Sequence, residues 1–357
     1  MLLADHTTLV QFLIEERRRF PEASGELNAV VLDVALACKA IARSVAHGSL
    51  ANAPGARPGE AEAETTAERA ALAAREIFLH TSEWGGHLAG MLATDRATPL
   101  RVPPSYPKGK YLLLFDAIDR PSNLEVNVTL GSLFSVLRAP RPGAEAEAAD
   151  FLQPGARQVC AGYAIYGPAT MLVLTVGSGV HGFTLDPSLG EFVLTHPRIQ
   201  LPRETGTLAI GSSNSRDWEP AVKRYVDECM AGRTGPRGQD FDMRWVASLV
   251  AELHRILMRG GVFLYPRDSR DAGAPGRLDL LCDANPAAFI VEQAGGRAST
   301  GLARVLDLPP ESLDQRVPLM FGAAREIERL ELYHRDYNER EYDAPLFGAR
   351  GLFRAAG

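Results

Sequence analysis

Cysteine is scarce in this chain. Its 357 residues hold four, Cys38, Cys160, Cys229 and Cys282, all far apart. No CxxC pair and no Cys/His spacing of a metal site occurs, which argues against a disulfide framework and for buried thiols in a reducing compartment. Long apolar runs are missing as well. Nothing approaches 18 consecutive apolar residues, so no membrane span and no membrane partner are expected. The start has no basic region followed by an apolar core and a small-residue cleavage site, so it does not read as a secretory signal, and a cytoplasmic location is expected. Basic blocks are short: none exceeds Arg17-Arg18-Arg19, and 38 Lys plus Arg against 44 Asp plus Glu leave a net charge of -6. A nucleic-acid binder would show a basic face, so no nucleic acid is expected. There is no internal repeat.

What the chain does have is globular. Hydrophobic residues make up 46% and charged residues 23%, close to the average for folded domains. At roughly 150 residues per domain the length suggests two. Thr8 stands as a cap before the stripe Leu9, Phe12, Leu13. Asn28 reads as a cap for a second helix, where Val30, Val34, Ala37, Ile41 and Val45 form one face. Residues 51–59 are a Pro/Gly loop, and 60–76 are rich in Ala and Glu and read as helix. The apolar run Tyr111–Phe115 ends at Asp116, the pattern of a buried strand delivering an acid. Residues 171–176, 180–185 and 191–195 read as an antiparallel meander. Val246, Leu249, Val250, Leu253, Ile256 and Leu257 mark an amphipathic helix that Gly260-Gly261 ends. Val262–Tyr265 and Leu278–Leu281 read as short strands, and Asn285-Pro286 as the cap and first turn of a helix running to Gly295-Gly296.

Four acids belong together in this reading: Glu83, Asp116, Asp119 and Asp283. Oxygen-rich clusters at a strand end suit Mg²⁺, which takes a few carboxylates plus water and substrate phosphate. Two such ions can orient a water and stabilise a leaving oxygen. By spacing alone, ordinary turn chemistry is the better account of a D-x-x-D pair, which is a weak signal by itself.

The segment Phe115-Asp116-Ala117-Ile118-Asp119-Arg120-Pro121-Ser122-Asn123, followed by Glu125-Val126-Asn127-Val128, resembles the class 1 fructose-1,6-bisphosphatase signature Asp-Pro-Leu-Asp-Gly-Ser-Ser-Asn. Further segments in the same order extend the resemblance over nearly the whole chain: FLQPGARQVCAGYAIYGPATMLVLT, GVHGFTLDPSLGEF, RWVASLVAELHRILMRGGVFLYP and ANPAAFIVEQAGGRA. GPRGQDFDMRW and LFGARGLFR look most like the Calvin-cycle branch. The resemblance implies an α/β fold, the layered α-β-α-β-α sandwich of the sugar-phosphatase superfamily. Residues 1–202 would carry most metal ligands and 203–357 would bind the sugar phosphate.

It also implies roles, residue by residue. Mg²⁺ would be held by Glu83, Asp116, the carbonyl of Ile118, Asp119 and Asp283, with Glu83, Asp116 and Asp119 as the catalytic acids. Arg244 (acting from a neighbouring subunit), Tyr265 and Arg277 would hold the 6-phosphate. Asn214 would substitute for an asparagine that falls on Gly211. Asp119, Arg120 and Ser122 would contact the rest of the sugar bisphosphate. The family suggests a homotetramer.

The chain departs from the pattern at several of these places. Trp84 stands where a second metal-binding glutamate is expected, and Trp245 replaces a tyrosine. Pro121 removes a backbone N–H beside the transferred phosphate. Arg120 replaces a glycine, so its Cβ restricts that turn, while its guanidinium is suited to binding phosphate. Glu60 or Glu62 would have to stand in for a loop aspartate. Two other readings therefore stay open: a catalytically impaired paralogue with a regulatory or assembly role, and a phosphatase shifted to a substrate such as sedoheptulose 1,7-bisphosphate. Ser24-Gly25-Glu26-Leu27-Asn28 with Lys110-Tyr111 matches the family's AMP segment. A helix start is a ready anion site, and a plain cap by Asn28 explains the same residues.

Overall fold

The computed structural model describes residues 7–19, 25–47, 65–94, 96–267, 269–271 and 276–339. Three helices open the chain: α1 (Leu9–Arg19), α2 (Gly25–His47) and α3 (Thr66–Ser82). Strands β1 (Leu88–Ala93), β2 (Tyr111–Asp119) and β3 (Leu130–Arg138) follow, then a short α4 (Ala148–Phe151). The meander continues as β4 (Cys160–Tyr166), β5 (Thr170–Thr175), β6 (Val180–Asp186) and β7 (Glu191–Ile199). The second half runs β8 (Thr207–Ile210), α5 (Pro220–Met230), β9 (Asp242–Met243), α6 (Leu249–Arg259) and β10 (Val262–Tyr265). It closes with β11 (Leu278–Asp279), α7 (Asn285–Gln293), β12 (Arg297–Ser299), β13 (Arg316–Val317), β14 (Leu319–Gly322) and α8 (Ala324–Glu339).

Among the described residues, β1 to β7 form one sheet in sequence order, parallel between β1 and β2 and antiparallel from there on. A second sheet has the order β12-β14-β10-β8-β9, and β11 pairs with β13 as a separate ribbon. Burial shows the layers. Val30, Val34 and Ile41 of α2 and Phe78 of α3 pack on Leu113, Phe115, Phe134 and Leu172 of the first sheet. The opposite face, with Leu133, Tyr163 and Val173, meets Leu253 and Leu257 of α6 and Ala287 and Val291 of α7. Those helices also cover Phe263 and Phe321 of the second sheet. Its far face, with Leu264 and Met320, is closed by Val222 and Val226 of α5 and Ile327 and Leu330 of α8. The result is an α-β-α-β-α sandwich. β2 is buried on both faces, which is why it reads as a continuous apolar run rather than an alternation.

Several local expectations are corrected. Asn28 does not cap α2, which already starts at Gly25. Its Nδ2 instead donates to the Leu13 carbonyl at 3.1 Å and ties α2 to α1. The proposed strand Leu278–Leu281 stops at Asp279 and turns into a π-helical segment, Leu280–Ala284, that runs straight into α7. The cap is Asp279, which accepts from the backbone N–H of Leu281 at 2.9 Å and Cys282 at 2.8 Å. Asn285 therefore has no free helix end to serve. The amphipathic helix starts at Leu249, not Val246, because Ser248 caps it by accepting from Ala251 N at 3.2 Å. Thr8 does bond Gln11 N, at 3.3 Å. The helix expected over 60–76 is described from Thr66, after a capping box between Thr65 and Glu68. Ser24, Glu60 and Glu62 lie outside the described residues.

Candidate active site

Residues three apart on an unbroken strand point to opposite faces of the sheet. Asp116 and Asp119 nevertheless reach the same cavity, because β2 is bulged between them: Asp116 pairs with Leu133 and Asp119 with Gly131. One extra residue on β2 re-aims the second acid. The cavity measures about 1030 Å³. Asp116, Asp119, Asp279 and Asp283 line it together with the cations Arg75, Arg120, Arg277 and Arg316, and Tyr265 stands at its edge.

The carboxylates are costly where they sit. Asp119 is buried, and burial raises its pKa despite hydrogen bonds from Ser248 Oγ at 2.7 Å and Val250 N at 3.0 Å. Both donors belong to the start of α6, so a helix N-terminus from the second half of the chain faces an acid of the first. Asp283 sits in the π-helical turn and is held well above the usual carboxylate range, first by burial, then by Asp116, Asp279 and Asp119. It accepts from Asp279 N at 3.1 Å. Such mutual repulsion among buried acids is what a divalent cation relieves. Among the described residues no three acids already stand at cage spacing. The donor chemistry, carboxylates plus the carbonyl of Ile118 on the same bulge, is nonetheless the oxygen set that hard cations take.

The other proposed site residues divide into two groups. Arg120 and Tyr265 meet: Arg120 Nη2 donates to Tyr265 Oη at 3.1 Å. Arg277 lines the cavity, and its carbonyl accepts from Arg316 Nη1 at 3.1 Å. Glu83 is not brought to the cavity wall. It caps the end of α3 and stands 3.3 Å from His80 Nδ1. Ser122 is exposed in the 3₁₀ turn Pro121–Val126. Asn214 lies in the turn Ser212–Asp217, where its Oδ1 accepts from Ser213 Oγ at 3.1 Å. Arg244 is 62% exposed, with Asp242 at 3.9 Å. Trp84, 55% exposed, does not line the acidic cavity. Gly211 lies beside Trp245, where a Cβ would make ordinary contact with the indole at 3.4 Å. The indole stacks on Phe263 and Tyr265, with ring centroids 5.9 and 6.3 Å away.

Sequence reasoning missed Asp279, Arg75 and Arg316. Asp279 precedes Asp283 by one helical turn, a spacing that offered a signal. Arg316 reaches the site only because β13 pairs with β11 and sets it opposite Asp279. No local pattern announces that. The four cysteines are free and buried, and burial pushes the Cys38 and Cys160 thiols up to about 12.

Comparison with known proteins gives the family. Residues 7–197 match the family described as Fructose-1-6-bisphosphatase, N-terminal domain, and residues 201–335 match its C-terminal domain. The chain is 58% identical over 352 residues to "Fructose-1,6-bisphosphatase class 1 3" of Methylibium petroleiphilum, covering 98% of each protein. It is also 58% identical over 351 residues to "Fructose-1,6-bisphosphatase class 1" of Hydrogenophilus thermoluteolus, again covering 98% of each. Among solved structures, Leishmania major fructose-1,6-bisphosphatase in holo form superposes with a TM-score of 0.82 at 31% identity, covering 92% of this chain and 99% of that one. The chain belongs to the class 1 fructose-1,6-bisphosphatase family.

Proposed function

We propose that this chain hydrolyses the 1-phosphate of fructose 1,6-bisphosphate to give fructose 6-phosphate and phosphate. It is a phosphoric monoester hydrolase of carbohydrate metabolism. The observation that carries the reading is a single cavity bearing four aspartates, Glu68 and four arginines, in a chain 58% identical end to end to proteins named for this activity. The paralogue and seven-carbon readings have no such support. Trp84, the departure that most threatened the site, stays off the cavity wall.

The division of labour follows from the walls. Asp116, Asp119, Asp283 and the Ile118 carbonyl would hold Mg²⁺, and Glu83 would join them only by leaving His80. Bound there, Mg²⁺ supplies Lewis-acid polarisation of the phosphoryl oxygens and relief of the acids' repulsion. Asp119 is held in place by α6, so its carboxylate is oriented before substrate arrives. Arg120, Arg277 and Tyr265 bind the far phosphate and sugar and position the near phosphate. Residues 203–357 thus supply most sugar contacts and residues 1–202 most ligands for the metal. The exposed Arg244 is suited to reach a neighbouring copy's site, which requires at least a dimer; the homotetramer is what the family suggests. A cytoplasmic location is part of the same proposal; separately, no described helix is long and apolar enough to cross a membrane.

The test is phosphate release from fructose 1,6-bisphosphate and sedoheptulose 1,7-bisphosphate across a Mg²⁺ titration. Release with the six-carbon sugar should saturate in Mg²⁺ and fall by about 10²–10³-fold in Asp116→Asn or Asp119→Asn. Equal release by both variants and the parent would sink the assignment.

A further inference from the structure

A second cavity, about 230 Å³, lies between α2 and α3 on the far side of α3 from the active site. Its wall joins an apolar side, Ile41, Val45, Ala70, Ile77 and Leu124, to a polar side with Ser44 and Thr66. One cation, Arg69, enters it. Arg69 Nε is shielded from solvent and has no hydrogen-bond partner. A shielded donor on a charged group left without a partner is costly, so its place in this chamber calls for an anionic acceptor. The guanidinium fork matches a carboxylate with two parallel bonds. A cavity of ~150 Å³ already admits a benzene ring, so this one, open to solvent beside Ser44 and Ala73, has room for a ring or branched alkyl body plus a short acid arm.

The chamber is connected to the catalytic one by shared walls. The face of α3 carrying Arg69, Ala70 and Ile77 lines the second cavity, while the face carrying Glu68, Leu72 and Arg75 lines the active-site cavity. Ile118, between Asp116 and Asp119 on the β2 bulge, lines both. Ile41 stands roughly 24 Å along α2 from Gly25, at 1.5 Å per residue, so this is not the helix-start segment matched to the family's AMP site.

We propose that the cavity between α2 and α3 is an effector site for a small aryl or branched-alkyl carboxylate, held by Arg69, whose occupancy shifts the active site through α3 and Ile118. Packed interiors transmit strain rather than absorb it, and a body wedged against Ile118 displaces the bulge that aims both catalytic acids. The effector half rests on the proposed function; the binding half does not.

The experiment is calorimetric titration of the full-length protein with phenylacetate, with acetate (acid without body) and benzyl alcohol (body without acid) as controls. Two variants accompany it: Arg69→Met, which keeps the stem and removes the charge, and Ala73→Leu, which fills the chamber from a helix position that leucine favours. Saturable phenylacetate binding, at least tenfold weaker in both variants and for both controls, is expected. Affinity for fructose 1,6-bisphosphate, read by the same method, should shift at least twofold when phenylacetate saturates the parent and stay fixed in the variants. Absence of saturable binding, or binding indifferent to both variants, overturns the site. Binding that leaves sugar affinity unchanged overturns the effector role. A parent that binds phenylacetate but no sugar bisphosphate refutes the proposed function and the coupling while leaving the pocket standing.

Discussion

Ser248 Oγ lies 2.7 Å from Asp119 Oδ2 and donates to it across the join between the two halves of the chain. The same oxygen accepts from Ala251 N at 3.2 Å and so starts α6. One hydroxyl both caps a helix and orients a buried acid of the active site.

Ser248→Ala should therefore lose two things at once. The cap is worth about 1 kcal/mol, and a hydrogen bond to a charged group about 1.5–3 kcal/mol. Denaturant unfolding should show a loss of about 2–4 kcal/mol, and kcat should fall at least tenfold with KM little changed. Ser248→Thr keeps the hydroxyl and should recover most of both. A kcat that survives the alanine change would remove Ser248 from the positioning of Asp119.

Arg120 holds a left-handed backbone, φ 55° and ψ 64°, where a side chain costs about 1–2 kcal/mol. Its guanidinium meets Tyr265 in return. Arg120→Gly should raise the unfolding midpoint slightly and raise KM about tenfold, the loss of one charged hydrogen bond. Arg120→Ala keeps the strain and loses the contact, so it should match glycine in KM and fall below it in stability. Steady-state kinetics beside urea titrations separate the two effects.

Burial and three neighbouring acids hold Asp283 well above its usual 3.8. Between 3.8 and that raised value the folded state binds more protons than the unfolded state. Stability therefore falls as pH rises through the window. In chelator at about pH 7.5, Asp283→Asn should melt higher than the parent and show a flatter pH slope, by the same linkage. Mg²⁺ should raise the parent's Tm and raise the variant's much less. A parent Tm independent of both pH and Mg²⁺ would contradict the acid repulsion described above.

Arg237 Nη2 bonds both Glu326 oxygens at 2.6 Å, and Tyr225 Oη donates to Glu326 at 2.7 Å. The pair is buried, with side chains 3% and 5% exposed. Removing one partner strands the other, so Glu326→Gln or Arg237→Ala should cost about 3–5 kcal/mol. Replacing both, Arg237→Met with Glu326→Leu, should recover much of that loss because neither charge remains to be desolvated. A double-mutant cycle by thermal unfolding measures the coupling.

The sequence alone settled the elements with a strong period or a tight motif. The β2 apolar run, the α2 stripe, the meander and the signature around Asp116 and Asp119 are local facts, and order of motifs along the chain gave the family and the layering. Helix starts went wrong where a distant or buried group does the capping: Asn28 reaches across to α1, and Asp279 takes the place assigned to Asn285. Only the folded chain could decide which charges share the cavity. Arg316 arrives by strand pairing with Asp279, Arg75 by the rotation of α3, and Asp119 turns inward because a bulge breaks the alternation of β2. Periodicity fixes which face of an element is apolar. It carries no information on which element stands opposite, and electrostatics in a shared cavity depends on that opposition.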